Sequence, residues 1–457
     1  MKINRLSCAI ATSLLLLIPF QQTANAKDFH ELEIPAPIIS EYREITRRIL
    51  LALIDVERFN LRYRRDSARE PKGKRLRYFL AQETGAATGL AYECVIIDQL
   101  QVGRRRPLTI NKNSLDGGLK TVMIGSIIAG AGSGLELASN SLHALKSHKE
   151  KIDSQSANNY MSSRIKQIDA LILERETFLS QYANHPYFSL AAQEGKILRL
   201  MRDAVIFEYS QFHKDIRKYR ARENMFYALN IATNTLTAIS IQQGILGLKN
   251  PDKNGPANIL FSIAGAFTMA SPLISNATGV VAEKAANRKL KKIFGAKQKF
   301  DYDELKTAQA EFSRSLKDMD EKEVTRAVYR AGEYMESTEA SQHLMESETK
   351  VMRYLNKVAV ENSLLGPVIG GTLLGQGIAG TVGYYKYHPS LKELDLTYKG
   401  AVSGCVGTGM AVGLNAVGLV ADLLYSRKLS KKNLLPRQII EDRLAHLDQV
   451  EKQITGM

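Results

Sequence analysis

Residues 362–385 read NSLLGPVIGGTLLGQGIAGTVGYY and residues 400–421 read GAVSGCVGTGMAVGLNAVGLVA; neither stretch carries a charged side chain. A helix of 22 residues is about 33 Å long at 1.5 Å per residue, close to the roughly 30 Å hydrocarbon thickness of a bilayer. A helix satisfies its own backbone hydrogen bonds, so lipid can solvate it. One charge at its centre would cost about 2.5–3.5 kcal/mol on insertion scales. Between the two stretches lies His388-Pro389-Ser390, a turn-forming sequence because proline restricts the backbone. The reading is an antiparallel apolar hairpin.

The same arrangement recurs upstream. Residues 224–248 and 254–282 are also free of charge, and only Lys249 to Lys253, with Asn250-Pro251-Asp252, separates them. In a chain with 24% charged residues, a given 22-residue window is charge-free by chance roughly 0.2% of the time. Four such windows are therefore a designed feature. A weaker pair precedes them: 84–100, with Glu93 and Asp98, and 121–145, with Glu136, joined by a turn expected over 101–118.

The three pairs resemble one another. Each opens on Glu83-Thr84, Glu223-Asn224 or Glu361-Asn362, preceded by Arg77-Tyr78, Lys218-Tyr219 or Arg353-Tyr354. Asn276-Ala277-Thr278-Gly279-Val280-Val281-Ala282-Glu283 precedes its counterpart, Asn415-Ala416-Val417-Gly418-Leu419-Val420-Ala421-Asp422, by 139 residues. Self-similarity at a fixed period marks a repeat. The expected organisation is three tandem units, 27–145 (hairpin 83–145), 146–285 (hairpin 223–285) and 286–425 (hairpin 361–425), followed by a C-terminal amphipathic helix over 426–457.

The intervening blocks are charged and amphipathic. Ile45, Ile49, Leu53, Val56, Phe59 and Tyr63 follow the helical period, as do Ile165, Ile168, Ile172 and Leu179, and Ile440, Leu444, Leu447, Val450 and Ile454. No run of alternating β-branched residues appears. The fold class is all-α: amphipathic charged helices plus Gly/Ala-rich helical hairpins, giving six transmembrane helices.

The first 26 residues read as a secretory signal. Lys2 and Arg5 precede the apolar run 9–20, and Ala24-Asn25-Ala26 offers a cleavage site. Export puts the long charged segments on the non-cytoplasmic side of a cell-envelope membrane. A formal net charge of +15, with basic residues flanking the hairpins, suits anionic lipid head groups. Nucleic acid is not expected as a partner, because no zinc-finger spacing or aromatic-interleaved basic motif is present. Three cysteines, one of them in the signal, exclude a disulfide framework. Cys94 and Cys405 read as small buried residues.

Small residues are spaced for helix packing. Gly366, Gly370, Gly371, Gly375, Ala379 and Gly383 are disposed about four apart, and Gly400 with Gly404 and Gly409 with Gly413 repeat the spacing. Catalytic and metal signatures are missing. His143 and His148 are five apart, not the four of a helical zinc site, and Gly130-Ala131-Gly132-Ser133-Gly134 lacks the Lys-Ser/Thr of a phosphate loop. No cofactor is implied and no enzymatic role is expected. Glu93, Asp98 and Glu136 would line an ion path if they faced a bundle interior, and would be solvated if the first hairpin were shallow. The expected role is non-enzymatic: a scaffold that self-associates or binds an envelope protein through its small-residue faces. The alternatives are a channel built from three hairpins and a soluble exported helical bundle.

Overall fold

The computed structural model describes residues 36–67, 74–106, 109–182, 186–295, 300–316, 321–432 and 435–456. The signal segment lies outside the described residues. The fold is all-α, with no strand among the described residues. Its helices are α1 (Ala36–Ser67), α2 (Lys74–Arg105), α3 (Lys112–Lys149), α4 (Ser154–Ser180), α5 (Pro186–Gly247), α6 (Asn254–Phe294), α7 (Tyr302–Ser315), α8 (Glu321–Tyr387), α9 (Leu391–Lys431) and α10 (Pro436–Gly456).

Helix starts are set by side chains that accept the first free backbone N–H groups. Asn111 caps α3, Asp153 caps α4, Asp301 caps α7 and Ser390 caps α9. Asn250 does the same for the short turn Pro251–Lys253 ahead of α6. The first hairpin turn is tighter than the 101–118 expected, because α2 continues to Arg105 and Asn111 starts α3 at Lys112.

Charged helices and apolar helices segregate into two parts. The charged part has a main core, shared by α1, α4, α7, α10 and the N-terminal halves of α5 and α8, and a smaller cluster of Tyr42, Leu179, Phe188 and Ala191. Ile49, Met161, Ile168, Ile197, Phe312 and Leu447 all belong to the main core. The amphipathic stripes of α1, α4 and α10 thus bury against one another within the chain. Charged helices from the N-terminal, central and C-terminal stretches of the chain all contribute to the main core. Between the two clusters, Glu194 accepts from Tyr42 (2.5 Å), Arg330 Nε (2.7 Å) and Tyr334 (2.9 Å), with Arg175 at 3.4 Å. Burial alone would raise the Glu194 carboxyl, but Arg330 and Arg175 outweigh it and bring it down to about 2. A second buried cation, Arg64, sits 3.3 Å from Glu348 and 3.6 Å from Glu208. One guanidinium shared between two carboxylates leaves burial dominant at Glu348, whose carboxyl is raised to about 7.

The apolar part comprises α2, α3, α6, α9 and the C-terminal halves of α5 and α8. Each helix packs on the next in the order α2, α3, α5, α6, α8, α9, and α9 packs back on α2, so the six close into a ring. α2, α5 and α8 lead away from the charged part, while α3, α6 and α9 return. α5 and α8 run unbroken through both parts. Their 62 and 67 residues correspond to about 93 and 100 Å. Four stretches are long and apolar enough to cross a membrane, within Lys112–Ser180, Pro251–Phe294, Leu364–Tyr387 and Leu391–Thr455. The ring portions of α2 and α5 do not reach that threshold, because they carry the polar residues described below.

His213 reports on the packing of the charged part. It is 2% exposed, with the Tyr63 hydroxyl 3.0 Å from Nδ1 and the Ser154 hydroxyl 3.0 Å from Nε2. A neutral imidazole, with one donor and one acceptor nitrogen, satisfies both. Burial, then Arg217 and Lys289, lower its pKa from 6.5 to about 4. Between those values the unfolded chain binds a proton that the folded chain does not, so stability falls as pH drops through the window and is unaffected above it. The expected contribution is a loss of about 3 kcal/mol. In denaturant unfolding at pH 7.5 and pH 4.5, His213→Gln should lose less stability on acidification than the wild type. Equal losses would show that His213 does not titrate in this window.

Candidate functional site

One face of each ring helix points inward. On α2 this face carries Gln82, Gly85, Ala86, Gly89, Glu93 and Ile96, and on α5 it carries Asn230, Thr233, Asn234, Thr237, Ser240 and Gly244. Spacings of three and four residues are those of a single helical stripe. Asn254, Asn258 and Thr268 continue the lining on α6, Gln376 on α8, Thr397, Thr408 and Asn415 on α9, and Ser126 on α3. Together with apolar neighbours such as Leu119, Phe261 and Leu373, they enclose a cavity of about 510 Å³. On α2 the lining extends from Gln82 to Leu100, or about 27 Å along the helix axis.

The outer surface is the reverse. Among the described residues, all the exposed large hydrophobic side chains lie on the ring parts of the six helices except Leu173 on α4 and Met335 in the charged half of α8. Ile127, Leu135, Leu273, Val281, Leu364, Val417 and Leu424 are examples, each more than half exposed. A water-soluble helix turns its apolar stripe inward; these helices turn it outward.

Close backbone contact holds the ring between hairpins. A Cβ on Gly265 would run into the Leu374 backbone, one on Gly370 into Met269, and one on Gly377 into Ser262. Within the third hairpin, Gly400 lies against Ala379 and Gln376, and Gly404 lies under the Gln376 side chain. Other small residues singled out in the sequence sit in looser surroundings. A Cβ on Gly383 would stand 3.4 Å from Glu393, one on Gly375 3.8 Å from Ser403, and one on Gly409 3.8 Å from Leu90. Gly371 and Gly413 have nothing within 4 Å. The tight seam between α6 and α8 was not apparent from one helix at a time, since it depends on which hairpins are neighbours.

The three acidic residues of the first hairpin occupy three different settings. Glu93 is 4% exposed and lines the cavity, and its Oε1 accepts from Gln376 Nε2 at 2.7 Å. Glu136 is also buried but outside the lining, where Arg77 donates to it at 3.2 Å. Asp98 is exposed. Cys94 is exposed and Cys405 half-buried, contrary to the expectation that both are buried. They lie on α2 and α9, where the first and last ring helices meet, and the two thiols are close neighbours.

Towards the charged part the cavity ends in a polar network. Asn230 donates to Tyr78 at 2.5 Å, one turn beyond Gln82. Another turn on, Lys74 donates to Glu223 at 2.8 Å and to Asn140 at 3.0 Å, and Asn140 donates to Glu223 and Asn224. Tyr219 and Tyr227 also donate to Glu223. Each hairpin is pinned near this level by a polar contact from its first helix to its second: Arg77–Glu136, Lys218–Glu283 at 2.7 Å, and Tyr354 to Asp422 at 2.6 Å.

In the charged part, Glu333 and Glu336 on α8 and His446 on α10 bring ligand-type atoms within 4.8 Å of one another. Both carboxylates already contact the His446 ring at 3.4 Å. The chain matches no protein-family model, and no curated protein or solved structure matches it.

Adjacent glycines test the ring seam. Gly370→Ala should destabilise the protein by about 1–3 kcal/mol through overpacking against Met269. Gly371→Ala should be neutral or stabilise by up to about 1 kcal/mol, through helix propensity alone. Thermal unfolding of the two variants in detergent reads the difference, and equal midpoints would remove the seam. Mild oxidation should join Cys94 to Cys405, giving a faster band on a non-reducing gel that Cys94→Ser abolishes. Failure to cross-link would count against closure of the ring at α2 and α9.

Proposed function

We propose that the chain is a non-enzymatic membrane protein whose six ring helices, arranged as three repeated hairpins, span the bilayer and enclose a gated conduit for small polar solutes. The observation that carries this reading is the inversion of polarity: an apolar belt outside and amides, hydroxyls and one buried carboxylate around a cavity inside. An apolar belt of this extent exceeds what soluble monomers expose, which weighs against a soluble exported bundle. Two ring helices that do not qualify as spans alone, α2 and α5, place Gln82 and Glu93, and Asn230, Thr233, Asn234, Thr237 and Ser240, on the cavity face. Intrahelical Asn230 and Asn234, expensive in lipid, find partners there: Tyr78 and the Asn230 carbonyl.

In this reading, the signal directs export and the charged part projects into the non-cytoplasmic compartment. The basic residues at the hairpin ends meet anionic head groups. The network of Lys74, Glu223 and Asn140 closes the conduit at the charged side. The outward Gly413 and Gly418, both exposed, favour a second reading, in which this face of α9 packs on another copy or an envelope protein and the ring serves as a scaffold.

The protein should stay with the membrane after alkaline carbonate extraction. Proteoliposomes should pass small polar solutes or ions, and Glu223→Gln should raise the flux roughly tenfold, equivalent to about 1.4 kcal/mol on a closed–open equilibrium. Recovery in the soluble fraction would defeat the membrane assignment. Tight liposomes with well-inserted wild type and Glu223→Gln would defeat the conduit and leave the scaffold.

A further inference from the structure

The cavity contains an acceptor site that its own walls leave incomplete. Glu93 is 96% buried, counted from its 4% exposure, and lies seven residues from Leu100 and eleven from Gln82, the two ends of the α2 lining. That places it in the middle third of the ring. Its Oε1 holds the Gln376 amide, but its Oε2 is buried without a hydrogen-bond partner, and so is Gln376 Oε1. Both residues line the cavity. The lining includes two carboxylates, Glu93 and Glu393, and no lysine, arginine or histidine. Glu393, at the far mouth, contacts His388 at 2.8 Å.

A carboxylate taken out of water needs a compensating charge or it is expensive to keep ionised. Here the walls supply one amide donor and no cation. The unpartnered atoms of Glu93 and of Gln376, the latter set against Gly404, are both oxygens, which suits a hard cation and rejects an anion. A single carboxylate balances a single positive charge, whereas calcium sites gather six to eight oxygens, carboxylates prominent among them. We propose that Glu93 and Gln376 form a binding site for a monovalent metal cation inside the ring, and that the conduit is consequently cation-selective. The binding site stands on the cavity geometry; selectivity rests also on the conduit reading.

Two measurements separate these. In detergent, the thermal midpoint of the wild type should be higher in sodium or potassium chloride than in N-methylglucamine chloride at equal ionic strength, since a ligand that binds only the folded state stabilises it. Glu93→Gln, which keeps the shape and the bond to Gln376, should abolish the difference. Gln376→Leu, which keeps the carboxylate, should reduce it and serves if Glu93→Gln fails to fold. No difference in the wild type, or a response only to calcium or magnesium, would overturn the site. In proteoliposomes under a potassium chloride gradient, the wild-type reversal potential should approach that of potassium, and Glu93→Gln should bring it towards zero. Unselective conduction overturns the selectivity while the conduit stands. A Glu93-dependent midpoint shift in a protein that does not conduct retains the site and removes the conduit.

Discussion

Between α6 and α8 the two backbones come close enough that a single methyl on Gly265, Gly370 or Gly377 has nowhere to go. This approach joins the second hairpin to the third, and the ring depends on it. Lipid supplies no hydrophobic drive for helices to associate, because the tails are as apolar as the side chains. In the proposed bilayer setting, contact area and polar bonds hold them instead. Gly366, packed on Pro272, extends the same seam. A proline within each of α6 and α8 is tolerable where neighbouring helices cover the backbone it disturbs.

The seam also decides where the polar groups go. Once α6 and α8 are held face to face, Asn258 on α6 and Gln376 on α8 fall on the enclosed side, while Leu273, Val281, Leu364 and Val368 fall outside. Long α5 and α8 carry this geometry into the charged core without a break. The buried Glu194–Arg175–Arg330 cluster then fixes α5 against α4 and α8 at the other end. A buried ion pair adds little net stability, but removing one partner is costly, so the cluster enforces one arrangement of the helices that carry the ring.

Much of this was legible in the amino-acid sequence. Charge segregation and helical spacing identified the helices, the hairpin turns and the buried stripes of α1, α4 and α10, because those signals are local. The polar residues at 230, 233, 234 and 237 were a readable sign as well. They fall on one face within a charge-free window, the pattern of a wetted interior. Two things were not legible. One was ring closure, which depends on contacts between helices hundreds of residues apart, such as Leu90 with Gly409. The other was the separation of Glu93 from Asp98 and Glu136. All three share one hairpin and one residue class, and only the rotation of α2 and α3 about their axes sends them to a cavity, to solvent and to Arg77.

The junction of α2 with α9 brings together the first and last ring helices of the chain. Until the ribosome has delivered α9, an emerging chain holds at most an open trough. If the ring spans a bilayer as proposed, the amides of α5 and the carboxylate of α2 would then face hydrocarbon with no opposite wall. Biogenesis would then have a vulnerable interval that ends only when α9 is in place. A chaperone or insertase that shields the trough, or a protease that recognises it, would act during that interval.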